Sequence, residues 1–206
     1  MTGAGRTADQ QKAQIDASLN GRRILIGVCG GIAAYKTASV VSRLVQGGAD
    51  VTVLMTSAAT RFVGPLTFQA LSGRTVYTDP WTHVESHDPQ HIALAREASL
   101  MLIAPCSMNM LACLAMGQPN DAVSLVCSAL DLRRQRVIVA PSMNEVMLQQ
   151  PATQRNLTTL REDGVMVVEP EVGWQACRAV GPGRMPEPER LVKLIAEQLV
   201  EVDAAG

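Results

Sequence analysis

Residues 23–36 read R-I-L-I-G-V-C-G-G-I-A-A-Y-K, and this stretch decides the fold class. Its first half is a short aliphatic run that ends at glycines, a pattern typical of a buried parallel strand. Helical spacing of apolar residues continues over residues 32–46 and stops at Gly47-Gly48, a pair that favours the end of a helix. The stretch therefore predicts a strand, a glycine turn and a helix.

The same alternation of strand and helix continues along the chain. Further strands are predicted over residues 51–55, 100–104, 136–140 and 165–168. Helices are predicted over residues 65–72, 92–97, 109–116, 121–130, 151–162 and 187–200. Alternating strands and helices form a parallel sheet that is covered on both faces. We therefore expect one α/β domain over residues 21–203, preceded by a flexible tail over residues 1–20.

The composition argues against several classes of partner. The chain has 206 residues with a net charge of -1, which gives no electrostatic case for nucleic acid or an anionic membrane. Its apolar runs are much shorter than the roughly 20 residues of a membrane span. Five cysteines without a C-x-x-C spacing argue against a disulfide framework and fit a reducing cytoplasm. We therefore expect a cytoplasmic protein without nucleic-acid or membrane partners.

Four glycine-rich or polar segments follow predicted strands, where parallel sheets bind their ligands. These segments are residues 29–33, 56–58, 105–109 and 141–144. Gly30 and Gly31 let backbone amides approach a phosphate or flavin, although a tight turn without a ligand would suit the same residues. Ser107, Asn109 and Asn144 could contact a ligand or simply cap the helices that follow them.

Residues 173–188, G-W-Q-A-C-R-A-V-G-P-G-R-M-P-E-P, surround Cys177 with glycine and proline. This composition predicts a shaped loop of about fifteen residues, and loops of that length are usually lids or binding loops. The thiol of Cys177 is then either incidental or a chemical reagent. The loop follows the last predicted strand, so we expect it at the ligand-binding edge of the sheet.

Three histidines, His83, His87 and His91, are spaced by four residues, as metal ligands on one helix face would be. Pro89 disfavours helical geometry just before it, so we expect no metal and favour solvated loop positions for His83 and His87. His91 differs because it begins a helical, apolar-periodic segment. There it can cap the helix or serve as an acid or base.

In order and spacing, these segments resemble the flavin-containing cysteine decarboxylases, in particular the phosphopantothenoylcysteine decarboxylases. The matching pieces cover roughly residues 22–190 and are G-V-C-G-G-I-A-A-Y-K, the T-S at 56–57, Q-H-I-A-L, A-P-C-S-M-N-M-L, G-Q-P-N-D, P-S-M-N, P-A-T-Q-R-N-L, and Q-A-C followed by G-P-G-R-M-P-E-P. The resemblance implies a Rossmann-like (flavodoxin-like) three-layer sandwich, FMN near a subunit interface, and assembly into trimers or dodecamers. It also implies a separate or fused phosphopantothenoylcysteine synthetase as a partner.

The resemblance also assigns site residues. The implied cofactor-binding residues are Gly30, Gly31, Ile32, Thr56, Ser57, Ser107, Met108, Asn109, Met110 and Leu111. The implied catalytic residues are His91, Asn144 and Cys177, and the implied substrate contacts are Asn144, Ala176 and Met185. Departures from the family pattern are Cys29, where serine is common, Ser142 and Met108, where alanine is common, and Ala93, where an acidic residue is common.

By the same resemblance, 4'-phosphopantothenoylcysteine is converted to 4'-phosphopantetheine in coenzyme A biosynthesis. The substrate thiol is oxidised by FMN to a thioaldehyde, which acts as the electron sink for loss of CO2 and leaves an enethiol. Hydride then returns from the reduced flavin while Cys177 supplies a proton. His91 would act as acid or base in the first half, Asn144 would hold the carboxylate or amide, and residues 171–186 would close as a lid.

Three other functions fit parts of the pattern. An oxidative decarboxylase of a peptide's C-terminal cysteine would end at the enethiol and need no proton donor such as Cys177. A flavin prenyltransferase on a related fold would not need the P-S-M-N segment or the cysteine loop. A regulatory flavin-binding subunit would not need His91, Asn144 and Cys177 together. These three alternative functions are therefore less favoured than the decarboxylase.

Overall fold

A computed structural model of the chain describes residues 8–81, 89–176 and 178–205. The main sheet contains β1 Arg23–Val28, β2 Asp50–Met55, β3 Leu100–Cys106, β4 Arg136–Pro141 and β5 Met166–Val167. A second, smaller sheet pairs β6 Glu171–Trp174 with β7 Val180–Arg184. The helices are α1 Ala8–Leu19, α2 Ala34–Gln46, α3 Pro65–Ser72, α4 Gln90–Glu97, α5 Met108–Ala115, α6 Ala122–Ser128, α7 Glu145–Leu148, α8 Pro151–Glu162 and α9 Pro188–Ala205. His83, His87 and Cys177 lie outside the described residues.

The main sheet is parallel, with the strand order β2-β1-β3-β4-β5. Ile24 of β1 pairs with Val51 of β2 on one side and with Leu100 of β3 on the other. The chain therefore runs outward from β1 to β2 and then crosses over to β3, so its direction of progress reverses between β1 and β3. This is the doubly wound, flavodoxin-like order, in which ligands bind beside the reversal point. The predicted parallel α/β fold is confirmed.

Apolar side chains on both faces of the sheet give the fold its three layers. Ile24 and Ile26 point to one face, where α2, α3 and α9 cover them. Leu25 alternates to the opposite face, which α4, α5, α6 and α8 cover. On this second face, a Cβ atom at Gly27 would lie 2.7 Å from Val123 Cγ1, so α6 can pack directly on the backbone of β1. Among the described residues, no helix is both long enough and apolar enough to span a bilayer.

The N-terminal segment is more ordered than its sequence predicts. The expectation of a flexible tail over residues 1–20 was wrong for Ala8–Leu19, which form α1 and pack against α9. Leu19 is fully buried and Ile15, one helical turn earlier, is partly buried against the same core. Two apolar residues in a polar, alanine-rich segment give only a weak amphipathic signal. The helix that they pack against, α9, lies at the other end of the chain, so no local pattern predicts the contact.

The residues on either side of Cys177 form a hairpin, whereas the sequence predicted a shaped loop of about fifteen residues without strands. β6 and β7 pair antiparallel, with Trp174 opposite Val180. Gln175 N donates to Ala179 O at 2.9 Å, and Arg178 N donates to Gln175 O at 2.9 Å, which together close the turn. The glycine- and proline-rich sequence of β7 has low strand propensity, so only pairing and docking contacts stabilise this strand.

Arg178 stores backbone strain at the tip of this hairpin. Its φ of 64° is in the left-handed region, which glycine adopts without steric cost and other residues do not. We expect the Arg178→Gly variant to be about 1 kcal/mol more stable than Arg178→Ala, because alanine keeps the strain while both variants remove the same side chain. Urea unfolding of both variants checks this, and an Arg178→Ala protein that is equally or more stable would contradict it.

Candidate active site

The loops that follow the first four strands meet at one edge of the sheet, as the strand order requires. Cys29 N, just after β1, donates to Pro105 O near the end of β3 at 3.2 Å. Thr56 N, just after β2, donates to Val28 O at 3.1 Å. Ser142 N, just after β4, donates to Cys106 O at 3.0 Å. The predicted convergence of the four segments is therefore confirmed by direct backbone hydrogen bonds.

The two adjacent glycines of the first loop have different roles. A Cβ atom at Gly30 would lie 2.6 Å from Ala58 Cβ, so glycine is needed there for the loops after β1 and β2 to pack together. A Cβ atom at Gly31 would come no closer than 4.0 Å to Pro105 Cγ. Packing within the chain thus explains Gly30 but not Gly31, where the missing side chain leaves open space for a bound molecule.

The start of α5 confirms capping as one role of Ser107. Ser107 Oγ accepts a hydrogen bond from Met110 N at 3.2 Å, and Ser107 O accepts one from Leu111 N at 2.9 Å. The side chains of Met110 and Leu111 are fully buried in the core. A ligand at this helix start would therefore meet the amides of Met108 and Asn109, the first two of the helix, which have no acceptor within it.

The loop after β2 is also capped from within. Thr56 Oγ1 accepts a hydrogen bond from Ala59 N at 3.1 Å, at the start of a short 3-10 turn over Ala59–Arg61. Ser57 is exposed, and its carbonyl oxygen accepts from Thr60 Oγ1 at 2.8 Å. Thr56 therefore caps the start of this turn, and the Ser57 side chain lies at the surface of the same edge.

Asn144 connects the loop after β4 to the hairpin. Its Oδ1 accepts from Val146 N at 2.8 Å and so caps the short helix α7. Its Nδ2 lies 3.5 Å from Gln175 Oε1, and Gln175 Nε2 donates to Pro182 O at 2.6 Å. Gln175 is only 8% exposed. Capping and positioning by Asn144 are therefore compatible, because the two roles use different atoms of one amide.

Glycines in β7 let the hairpin dock closely on the loop after β4. Met143 N donates to Gly183 O at 3.1 Å. A Cβ atom at Gly183 would lie 2.1 Å from Met143 O, and the φ of Gly183 is 130°, which side chains rarely allow. A Cβ atom at Gly181 would lie 2.3 Å from Glu145 Oε2. A side chain at Gly183 would move the hairpin away, because it would meet a backbone oxygen, whereas one at Gly181 would displace the exposed Glu145 side chain.

The docked hairpin, the start of α2 and the loop after β4 enclose a cavity of about 640 Å³. Five of the expected site residues line this cavity, namely Gly31, Ile32, Asn144, Ala176 and Met185. The other expected residues that the structure describes lie outside its lining, namely Gly30, Thr56, Ser57, His91 and residues 107–111. The structure therefore brings the expected substrate contacts together with the glycine loop.

Sequence reasoning assigned no role to three polar residues that line the cavity. Lys36, Gln175 and Arg184 all belong to the quoted motifs, within A-A-Y-K, Q-A-C and G-P-G-R-M. Lys36 Nζ donates to Glu187 Oε1 at 2.8 Å, and Arg184 also pairs with Glu187. The hydrogen bond from Lys36 lowers the pKa of the Glu187 carboxyl below its ordinary value. The sequence contained one signal for these roles, namely that each residue is a polar member of a quoted motif.

His91 lies near the sheet edge but not against the cavity. It is in the first turn of α4, whose far end is fixed at the opposite edge by the hydrogen bond from Ser99 N to Arg23 O at 2.8 Å. The start of α4 therefore lies toward the carboxyl ends of the strands. Its side chain is partly exposed, on the face of the sheet that α6 also covers.

The buried cysteines near this edge are packing residues, as expected. Burial raises the pKa of Cys29 to about 12, and burial also raises the pKa of Cys106 well above its usual value. Burial likewise raises the pKa of Cys127 to about 12. At neutral pH these thiols are almost entirely protonated, so they are poor nucleophiles.

The family relationship is settled by a match along most of the chain. The model of the flavoprotein family, described as Flavoprotein, matches residues 13–200. The chain belongs to this flavoprotein family. The matched range includes every element that forms the cavity, from the glycine loop after β1 to the docked hairpin.

Curated relatives of this flavoprotein are longer bifunctional proteins. The chain is 43% identical over 187 residues to the coenzyme A biosynthesis bifunctional protein CoaBC of Bacillus subtilis (strain 168). That match covers 91% of this chain and 45% of the relative. The corresponding Escherichia coli (strain K12) protein is 42% identical over 177 residues, which is 86% of this chain and 43% of that protein. The chain thus spans less than half the length of the relatives that it matches.

Solved structures of the same fold include flavin-dependent enzymes. The FMN-dependent cysteine decarboxylase SpaF has a TM-score of 0.76 and 30% identity, over 88% of this chain and 99% of that chain. A cysteine-to-serine mutant of PPC decarboxylase, complexed with pantothenoylaminoethenethiol, has a TM-score of 0.78 and 26% identity. That match covers 87% of this chain and 98% of the other. The flavoprotein fold is therefore shared over nearly the whole chain.

Because Gly183 lies so close to Met143, adding one methyl group at residue 183 should clearly lower the stability of the hairpin. We expect Gly183→Ala to destabilise the docked hairpin by about 2–3 kcal/mol, because the added Cβ meets a backbone oxygen and φ is unfavourable. The matched control is Gly64→Ala, because a Cβ atom at Gly64 meets nothing within 4 Å. Thermal unfolding and the rate of proteolytic cleavage within residues 171–184 measure the effect, and equal behaviour of the two variants would contradict it.

Proposed function

We propose that this flavoprotein binds FMN and decarboxylates 4'-phosphopantothenoylcysteine to 4'-phosphopantetheine, a step of coenzyme A biosynthesis. The observation that carries the proposal is the cavity between the glycine loop, Asn144 and the docked hairpin. It lies at the carboxyl edge of a flavodoxin-like sheet, in a chain that is 43% identical to a coenzyme A biosynthesis protein. Its volume of about 640 Å³ is in the range of small-molecule sites.

The residues at the sheet edge fit a flavin nucleotide. Gly31 leaves open space where any side chain would project, and the amides of Met108 and Asn109 lie at the open start of α5. Such amides favour anionic and carbonyl groups. The residues proposed to hold FMN are the backbone of Gly30, Gly31 and Ile32, the hydroxyl-bearing loop of Thr56 and Ser57, and the α5 start at residues 107–111.

The substrate's cysteine end is proposed to lie against Asn144, Ala176 and Met185. Asn144 uses its Oδ1 to cap α7, so its Nδ2 is the atom that faces the hairpin and can donate to a carboxylate or amide. Met185 is almost fully buried and forms part of the cavity wall. This arrangement would orient the carboxylate for loss as CO2.

When bound, FMN supplies the two-electron oxidation of the substrate thiol and the later return of those electrons. Loss of CO2 from the oxidised substrate leaves an enethiol, and one carbon of this enethiol must take up a proton as it is reduced. Cys177, which follows Ala176 of the cavity lining in the sequence, is proposed to donate that proton and to recover it from solvent. The hairpin, residues 171–186, is proposed to act as the lid that excludes water.

Homo-oligomer formation, as a trimer or dodecamer, belongs to the same proposal. Large apolar side chains are exposed outside the cavity, among them Leu66 at 73%, Trp81 at 86% and Met116 at 69%. Exposed apolar residues of this size favour contact with another protein surface. Because His91 does not line the cavity of its own chain, we propose that it completes the site of a neighbouring copy in the oligomer.

The cellular context is proposed from the relatives. CoaBC is described as bifunctional, and this chain matches less than half of it. We propose that a fused or separate phosphopantothenoylcysteine synthetase supplies the substrate in the cytoplasm. An oxidative decarboxylase of a peptide's C-terminal cysteine is the second candidate, because SpaF shares this fold at 30% identity.

Replacing Cys177 with serine tests the proposed function and the proposed proton donor together. We expect wild-type protein to release CO2 and form the saturated thiol, and Cys177→Ser to release CO2 but accumulate the enethiol with reduced flavin. The solved PPC decarboxylase complex of a cysteine-to-serine mutant with an enethiol supports this expectation. Mass spectrometry of the products and flavin absorbance follow both species.

Cys127→Ser is the matched control for this experiment, since Cys127 is a partly buried cysteine on α6 and does not line the cavity. We expect it to turn over like wild type. Full turnover by Cys177→Ser would contradict the role of Cys177. Absence of CO2 from wild-type protein would contradict the proposed function itself.

Replacing His91 with asparagine tests the proposed acid or base. We expect His91→Asn to bind FMN normally and to lower CO2 release by roughly 100-fold or more, the usual contribution of a general acid or base. The control is His87→Asn, which the sequence predicts to be a solvated loop position. Flavin absorbance and release of labelled CO2 are the measurements, and normal release by His91→Asn rules out the role.

A further inference from the structure

The cavity has a cationic side that none of the assigned site residues explains. Among the described residues that line it, the charged side chains are Lys36 on α2 and Arg184 at the end of β7. These two residues come from different elements, the glycine-loop helix and the docked hairpin, and meet at Glu187. The described part of the lining contains no carboxylate. An anionic group of a bound molecule would therefore be attracted to this side of the cavity.

The two cations share one carboxylate, Glu187, so N–H donors of both side chains remain for a ligand. Both pair with Glu187, which leaves the three side chains with a net charge of +1, since two cations and one carboxylate are present. The Lys36 side chain is only 14% exposed. Its ammonium carries three N–H bonds, and Glu187 accepts one of them. A partly buried ammonium with unused donors is well suited to a charged acceptor.

We propose that Lys36 and Arg184 bind a phosphate monoester, namely the terminal phosphate of the substrate, an inference that rests on the proposed function. The substrate has two anionic ends, a carboxylate that is lost as CO2 and a phosphate that is retained. Two cations against the carboxylate would stabilise the ground state and oppose its loss, whereas cations against the phosphate leave the reaction unaffected. Glu187 holds both cations in place before the substrate arrives.

Most of the expected FMN-binding residues lie away from the two cations, which favours the substrate's phosphate over the cofactor's. Gly31 and Ile32 line the cavity that contains Lys36 and Arg184, but Gly30, Thr56, Ser57 and residues 107–111 do not. Asn144 and Ala176, the expected contacts of the cysteine end, do line it. The cavity therefore offers an amide for one end of the substrate and two cations for the other.

The test compares binding of 4'-phosphopantetheine and pantetheine, which differ only in the phosphate, to FMN-loaded protein by calorimetry. We expect wild type to bind the phosphorylated compound at least 10-fold more tightly. Lys36→Met should reduce that preference by about 10-fold or more, with little change for pantetheine. Lys36→Arg, which keeps the charge, should retain most of the preference.

Four results would overturn the inference. Equal binding of the two compounds by wild type would show that no phosphate site exists, while leaving the proposed function intact. Equal weakening of both compounds in Lys36→Met would show that the Lys36–Glu187 pair is only a structural link. Weaker binding of FMN but not of riboflavin by Lys36→Met would assign the cations to the cofactor's phosphate. If neither compound binds wild type, the proposed function fails and the phosphate site fails with it.

Discussion

One backbone hydrogen bond, from Met143 N to Gly183 O at 3.1 Å, connects the two halves of the candidate site. The first half is built into the edge of the main sheet, where the strand order reverses. The second half is a hairpin that has little core of its own, because both Val172 and Val180 are exposed. This contact and the hydrogen bond between Asn144 and Gln175 hold the hairpin over the cavity.

The contact depends on the absence of a side chain at Gly183. Only glycine allows the backbone of β7 to approach Met143 O, and the same approach brings Gln175 beside Asn144. The hydrogen bond between these two amides then sets the orientation of Asn144, while Lys36 and Arg184 converge on Glu187. The close approach of Gly183 to Met143 therefore brings amide side chains and cationic side chains into the lining of one cavity.

Much of the fold could be predicted from the sequence because its signals are local. β1 and α3 begin and end at the predicted residues, since an aliphatic run and a proline–glycine boundary mark them. α1 and the hairpin could not be predicted, because their stability comes from partners far along the chain. Ile15 and Leu19 gain their burial from a core that includes α9, and β7 gains its position from Met143.

Some residues of the candidate site could likewise be predicted from local sequence patterns, and others could not. Gly31, Ile32 and Asn144 were predicted from loops that follow strands, since a parallel sheet brings such loops together. Lys36 was not predicted, because its partner Glu187 is 151 residues away and no local pattern connects them. The short range of sequence patterns also explains why His91 was expected in the same site, although it does not line the cavity of its own chain.

Anaerobic turnover is the measurement that tests the proposed chemistry most directly. A decarboxylase that returns electrons to its product regenerates oxidised flavin by itself and needs no external oxidant. With 4'-phosphopantothenoylcysteine in large excess and oxygen excluded, the proposal predicts many molecules of CO2 per flavin and an equal amount of 4'-phosphopantetheine. Release that stops at one CO2 per flavin, with an enethiol as product, would contradict it and favour an oxidative decarboxylase.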